Sequence, residues 1–178
     1  GVKYTDYAIG KFIKDAASKP WFANTVFVIV ADHCAQSAGK TDLPVTGYHI
    51  PLIMYSPSII PSRMFNGLLS QIDVAPTILG LLNFSYTSKF FGQNVLDSTS
   101  FTERAFISTY QGLGYVTKDK MTIQMPRKKV STVQPDFTTG NSTLLQRDSL
   151  LENKAMSLYQ SAAWLIKNGG YGRISPKK

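Results

Sequence analysis

Both histidines of the chain stand in one stretch, VFVIVADHCAQSAGKTDLPVTGYHIPLIMYSP, from Val26 to Pro57. Asp32 and His33 follow one apolar run, and His49, sixteen residues beyond His33, precedes another. A carboxylate beside an imidazole offers an oxygen and a nitrogen donor from a single point of the backbone, a pair suited to a divalent metal. An Asp-His dipeptide also caps turns, and a loop histidine also bonds to backbone. The choice therefore rests on the elements that hold these three residues.

The first apolar run, TVFVIVA from Thr25 to Ala31, is β-branched and aromatic without polar alternation, the pattern of a strand covered on both faces, as in a parallel sheet. Asp32 and His33 then fall at its carboxyl end, where ligands gather in open α/β sheets. Residues 34–48 carry Gly39, Pro44 and Gly47 and read as a loop, after which IPLIMYS resumes as a second buried strand. His49 reaches the edge that holds Asp32 only if that loop folds back, and clustering of Asp32, His33 and His49 at one sheet edge is expected.

Around this unit the pattern is α/β with an antiparallel appendage. VKYTDYAIGKFIKDAAS predicts a helix with Thr5, Ile9, Phe12, Ile13 and Ala16 near one face, stopping before Lys19-Pro20. A helix from almost the first residue suggests a piece of something longer. SQIDVAPTILGLLNF predicts a helix with Asp73 as N-cap, a role favoured over acidic ligand, and Pro76 in the first turn. RAFISTYQ predicts a strand, and GYVTKDKMTIQMPRKKVSTVQ predicts antiparallel strands separated by TKDK. The run from Ser142 to Gly169 has helical composition, with Gly169-Gly170 as its stop.

With 178 residues, 43% of them hydrophobic, the chain can bury a core and fits one domain better than two. Its net charge of +8 would suit a polyanion, yet the cations are spread along the sequence and gather only at Arg127-Lys128-Lys129 and Lys177-Lys178. No nucleic-acid module signature accompanies them, so no nucleic-acid partner is expected. The single cysteine, Cys34, excludes an internal disulfide and a multi-cysteine zinc site. No apolar run approaches the ~20 residues needed to cross a bilayer.

In order along the chain, TDYAIGKF, KPWFANTVFVIVADH, YHIPLIMYSP and SQIDVAPTILGLLNFSYTSKFFG resemble the lipoteichoic-acid-synthase-like branch of the alkaline phosphatase and sulfatase superfamily. The resemblance is strongest from Tyr4 to Gly92 and continues through FISTYQGLGYV. It implies an α/β fold: the C-terminal portion of an alkaline-phosphatase-like sandwich, a mostly parallel sheet flanked by helices with a small antiparallel sheet. On that reading residues 1–178 form one partial catalytic domain of a phospho- or sulfo-ester transferase or hydrolase, of the phosphoglycerol or phosphoethanolamine transferase kind. The resemblance also implies an anionic phospho- or sulfo-ester substrate, a missing N-terminal half of the same domain, and an inner-membrane-anchored parent protein working in the periplasm or at the cell surface. Asp32 and His33 match the family's metal ligands, and His49 matches a residue that binds a second metal or the substrate's phosphate. Zinc or manganese is implied ahead of calcium or magnesium.

The family nucleophile lies far upstream of the Asp-His motif, so no catalytic nucleophile is expected in these residues. The sulfatase modification signature needs Cys or Ser two residues before its proline; in IIPSR, Pro61 and Arg63 are present but Ile59 stands at that place, and Cys34-Ala35-Gln36-Ser37 fails as well. Lys40 and Thr41 could meet an anionic substrate or form a solvated loop face. Cys34 reads as a small packed side chain, and Tyr86, Phe90 and Phe91 as core or interface. The rival reading is a non-catalytic module whose basic surface binds an anionic polymer or a membrane.

Overall fold

The computed structural model describes residues 1–34 and 43–172, so Lys40 and Thr41 lie outside the described residues. Two compact units are formed, residues 1–34 with 50–65 and residues 35–49 with 66–178.

The first unit opens with helix α1, Val2–Ala16. Ile9 and Ile13 are half-buried and Ala16 is buried, the i, i+4, i+7 spacing of one helical face. The helix stops three residues before Lys19 rather than at the proline. Phe12 meets Phe27 edge to face at 5.9 Å between ring centres, and Trp21, Phe22 and Tyr55 complete a ring cluster around Phe27.

Phe27 belongs to strand β1, Phe27–Val30, which pairs with β2, Leu52–Tyr55. The ladder is antiparallel, with Val30 opposite Leu52 and Phe27 opposite Tyr55. Both strands stand where the sequence places them, but their mutual direction and burial differ from expectation. An unalternated apolar run specifies coverage of both faces without fixing a neighbour's direction, and the long connection permits either. Coverage is itself partial, since Val30, Ile53 and Tyr55 are 38%, 54% and 38% exposed.

In the second unit, 3₁₀ residues Gln71–Asp73 lead into helix α2, Val74–Leu81. The larger sheet follows in the order β3 (Ala105–Ser108), β4 (Leu113–Val116), β5 (Met121–Met125), β6 (Lys129–Pro135) and β7 (Ser142–Leu144), all antiparallel neighbours. The α/β class holds, but the mostly parallel sheet is not found among the described residues, where every ladder is antiparallel. Leu43, Val45, Ala105, Ile107, Val116, Met121 and Val133 form the core.

Helix α3, Ser149–Lys167, buries Ala155 and Glu152 and sends the Tyr159 hydroxyl to the Gly114 carbonyl of β4 at 3.2 Å. Asp148 caps its start by accepting the Leu151 N–H. Gly169, at φ +64°, ends it, with Gly169 N–H on Ile166 O and Gly170 N–H on Leu165 O, the paired bonds of a glycine C-cap. Strand β7 is unexpected. Three residues are too few for a periodic signal, and what makes them a strand is their non-local pairing with β6.

Candidate metal centre

Strand β1 ends at Val30, and the ladder continues one bond further, with Ala31 N–H donating to Pro51 O at 3.3 Å. Antiparallel pairing therefore sets the carboxyl end of β1 and the amino end of β2 at one edge of the two-stranded sheet. Asp32 and His33 leave the strand at that edge. Their side chains are 88% and 66% exposed, and Asp32 Oδ2 lies 3.5 Å from His33 Nε2. The carboxylate is steadied by its other oxygen, Oδ1, which accepts the His33 backbone N–H at 3.0 Å.

His33 Nδ1 lies 2.9 Å from the Cys34 carbonyl oxygen. A carbonyl can only accept, so the bond puts the proton on Nδ1 and leaves the Nε2 lone pair, in the neutral ring, turned toward the carboxylate. A backbone carbonyl that fixes the tautomer in this way is the usual outer support of a metal-binding imidazole. The donor set thus fits a divalent metal as far as it goes. It supplies two ligands, and among the described residues no group of three or more His, Cys, Asp or Glu stands together as a metal cage.

His49, in the second unit, follows a single 3₁₀ turn, Val45–Tyr48, and is exposed in extended conformation at φ −79° and ψ 103°. Tyr48 packs against the core of that unit, and burial pushes its phenol upward. Along the chain His49 is two residues from Pro51. Cys34 is partly buried. Tyr86 and Phe90 pack on each other at 6.0 Å and stay 44% and 51% exposed.

Asp73 shows why an acidic residue near a helix start need not be a ligand. It is fully buried, and Arg104 donates to both its oxygens at 2.8 Å. The backbone N–H of Gln93 and that of Ser70 fill the remaining acceptor positions at 2.7 and 2.8 Å. Asp73 stands at the N-cap position of α2, as expected, but its side chain makes no cap hydrogen bond there; the carboxylate instead closes a capping box around the preceding 3₁₀ turn, three residues after Ser70. Arg104 also donates to Phe91 O and lies 5.0 Å from the Phe106 ring centre. No local sequence signal marked Arg104, because its partner is 31 positions away. Glu152 is the other buried acid among the described residues; Arg147 donates to both its oxygens and holds its carboxyl below the usual range.

Residues 1–84, which include Asp32, His33 and His49, match the sulfatase family model. The fold is similar to a solved protein of the alkaline phosphatase superfamily from Vibrio parahaemolyticus, at 29% identity and a TM-score of 0.90 over 97% of this chain. This chain spans 42% of that protein's length.

Proposed function

We propose that this chain supplies the metal-binding, C-terminal portion of a phospho- or sulfo-ester transferase or hydrolase, of the phosphoglycerol or phosphoethanolamine transferase kind. The observation that carries the reading is the exposed Asp32-His33 pair at the end of β1, with its tautomer fixed by the Cys34 carbonyl, inside the stretch that matches sulfatases. Asp32 Oδ2 and His33 Nε2 would hold zinc or manganese. When bound, such an ion lowers the pKa of a hydroxyl nucleophile and neutralises charge on the transferring group. His49 would contact a second metal or an oxygen of the anionic ester.

The nucleophile and remaining ligands are assigned to a longer polypeptide, of which the 42% coverage of the Vibrio protein is the support. The half-exposed apolar strands of the first unit suit the same reading, since Val30, Ile53 and Tyr55 offer a surface for that polypeptide to cover. An extracytoplasmic location and a membrane-anchored parent belong to this proposal.

The test compares a longer protein carrying this sequence with its Asp32→Ala and His33→Ala variants. Substrates are p-nitrophenyl phosphate and a phosphoglycerol lipid, each with zinc or manganese. Loss of turnover in both variants, and none from the 178-residue chain alone, is expected. Metal-dependent turnover by the isolated chain, abolished by Asp32→Ala, would overturn the division of labour.

A further inference from the structure

The five-stranded sheet has two unlike ends. At one, the β4–β5 loop holds Lys118, Asp119 and Lys120, and the β6–β7 loop opens with Asp136, so charges of both signs mix. At the other lie the β3–β4 turn, residues 109–112, and the β5–β6 turn, residues 126–128, which the register makes neighbours: Leu113 pairs with Gln124, and Met125 with Lys129. Met125 Sδ fills the space beside Gly112, 2.9 Å from where a side chain would begin, so the two turns pack together.

This second end displays Arg127, Lys128 and Lys129, all exposed, with Tyr110 beside them 77% exposed, and neither turn contains an acid. Arg127 and Lys128 are held at φ +59° and +58°, a left-handed conformation that asparagine and glycine adopt far more readily. Cations stand where turn chemistry alone would choose other residues, and among the described residues no ion pair accounts for them.

We propose that this sheet end is a contact surface for an anionic lipid bilayer, with Arg127, Lys128 and Lys129 on headgroup phosphates and Tyr110 at the headgroup level. Charge complementarity selects an anionic partner, and shape selects a bilayer over a soluble polymer. A polymer is held in a groove that tracks its backbone, whereas these cations project from a turn, as a planar array of phosphates requires. An aromatic ring with a polar tip beside a short basic run is the composition of interfacial anchors. The surface is independent of the ester chemistry proposed above and would act whether or not that reading holds.

The test is co-sedimentation of the 178-residue chain with vesicles of phosphatidylcholine, alone or mixed with phosphatidylglycerol. Binding to the mixed vesicles only is expected, lost as salt rises from about 0.1 M to about 1 M and screening shortens from about 10 Å to about 3 Å. The double substitution Arg127→Asn with Lys128→Gly removes two cations and relaxes the turn. It should weaken vesicle binding roughly thirty-fold while raising the melting temperature, which separates lost contact from lost fold. Tyr110→Ala should weaken it less. Equal binding to neutral vesicles, no binding at all, or unchanged binding by the double variant would overturn the proposal. So would release from the mixed vesicles by soluble polyphosphate at an equal phosphate concentration, because it would make the surface a polymer site.

Discussion

The two units treat their charged side chains differently. In residues 1–34 with 50–65 only Ala16, Phe27 and Ser56 are buried, and Val2, Tyr4, Tyr7, Phe12 and Ile53 are largely exposed. Among its described residues the second unit has a contiguous apolar core, two buried acids each paired with an arginine, and a helix capped at both ends. Yet the candidate ligands Asp32 and His33 belong to the first unit. The lightly packed region holds the Asp32-His33 pair in the open, and the densely packed one holds charges satisfied internally, so burial of a charge here marks architecture, while the exposed pair is left free for the role proposed above.

The sharpest way to break that contrast is Asp73→Ala. It strands the Arg104 guanidinium, 4% exposed, and frees the N–H groups of Ser70 and Gln93. Removing one partner of a buried ion pair costs about 3–5 kcal/mol, to be read as a loss of unfolding free energy in urea. A loss below about 1 kcal/mol would show that the buried pair is not what ties the start of α2 to the residue that precedes β3.

Tyr159→Phe should be milder. Its hydroxyl makes one hydrogen bond to Gly114 O, and burial raises its pKa to about 12. Losing that bond should cost about 1 kcal/mol with the ring still packed against Phe106. A cost near that of Asp73→Ala would place the main support of α3 in this bond and not in the apolar contacts.

Acid provides a third comparison. The second unit holds Glu152 below its ordinary value of 4.5, chiefly through Arg147, and draws Asp97 from 3.8 to about 2 through the Thr99 and Ser100 hydroxyls. The folded form therefore gives up these protons more readily than the unfolded chain. Their contribution is fully present above the unfolded values and is lost as the pH falls from 4.5 toward about 2. Urea midpoints across that window should decline, and Glu152→Gln with Asp97→Asn should flatten the slope. An unchanged slope in the double variant would assign the acid sensitivity elsewhere.

What the sequence disclosed follows the range of each interaction. Helix α1, the Asp148-capped α3 and the β4–β5 hairpin at TKDK are written in neighbours a few positions apart, and they stand close to where they were expected. The Asp-His motif was equally plain, because two adjacent residues at a strand end need no tertiary knowledge. Strand direction, the Asp73–Arg104 pair and β7 were not legible, since each depends on partners tens of positions apart or on a sheet edge the local pattern does not encode. The burial of β1 and β2 was overestimated for a related reason: their composition suits a more enclosed setting than the described residues provide.

The smallest expected effect is the most informative about the candidate centre. Asp32 and His33 are exposed, and among the described residues their hydrogen bonds and ion pair are to each other and to the adjoining backbone. Replacing either by alanine should change unfolding free energy by no more than about 0.5 kcal/mol, the range of ordinary surface substitutions. Chelation should leave the melting temperature of the 178-residue chain unmoved, because a closed structural zinc site takes four protein ligands and adds folding energy outright, whereas two donors leave most of the shell to water. Zinc and manganese titrations should still register weak binding that His33→Ala removes. Thermal unfolding with and without chelator decides the matter. A melting temperature that collapses on metal removal would make Asp32 and His33 part of a structural site in the first unit, and the contrast between an open chemical region and a self-sufficient scaffold would fail at the residues on which it rests.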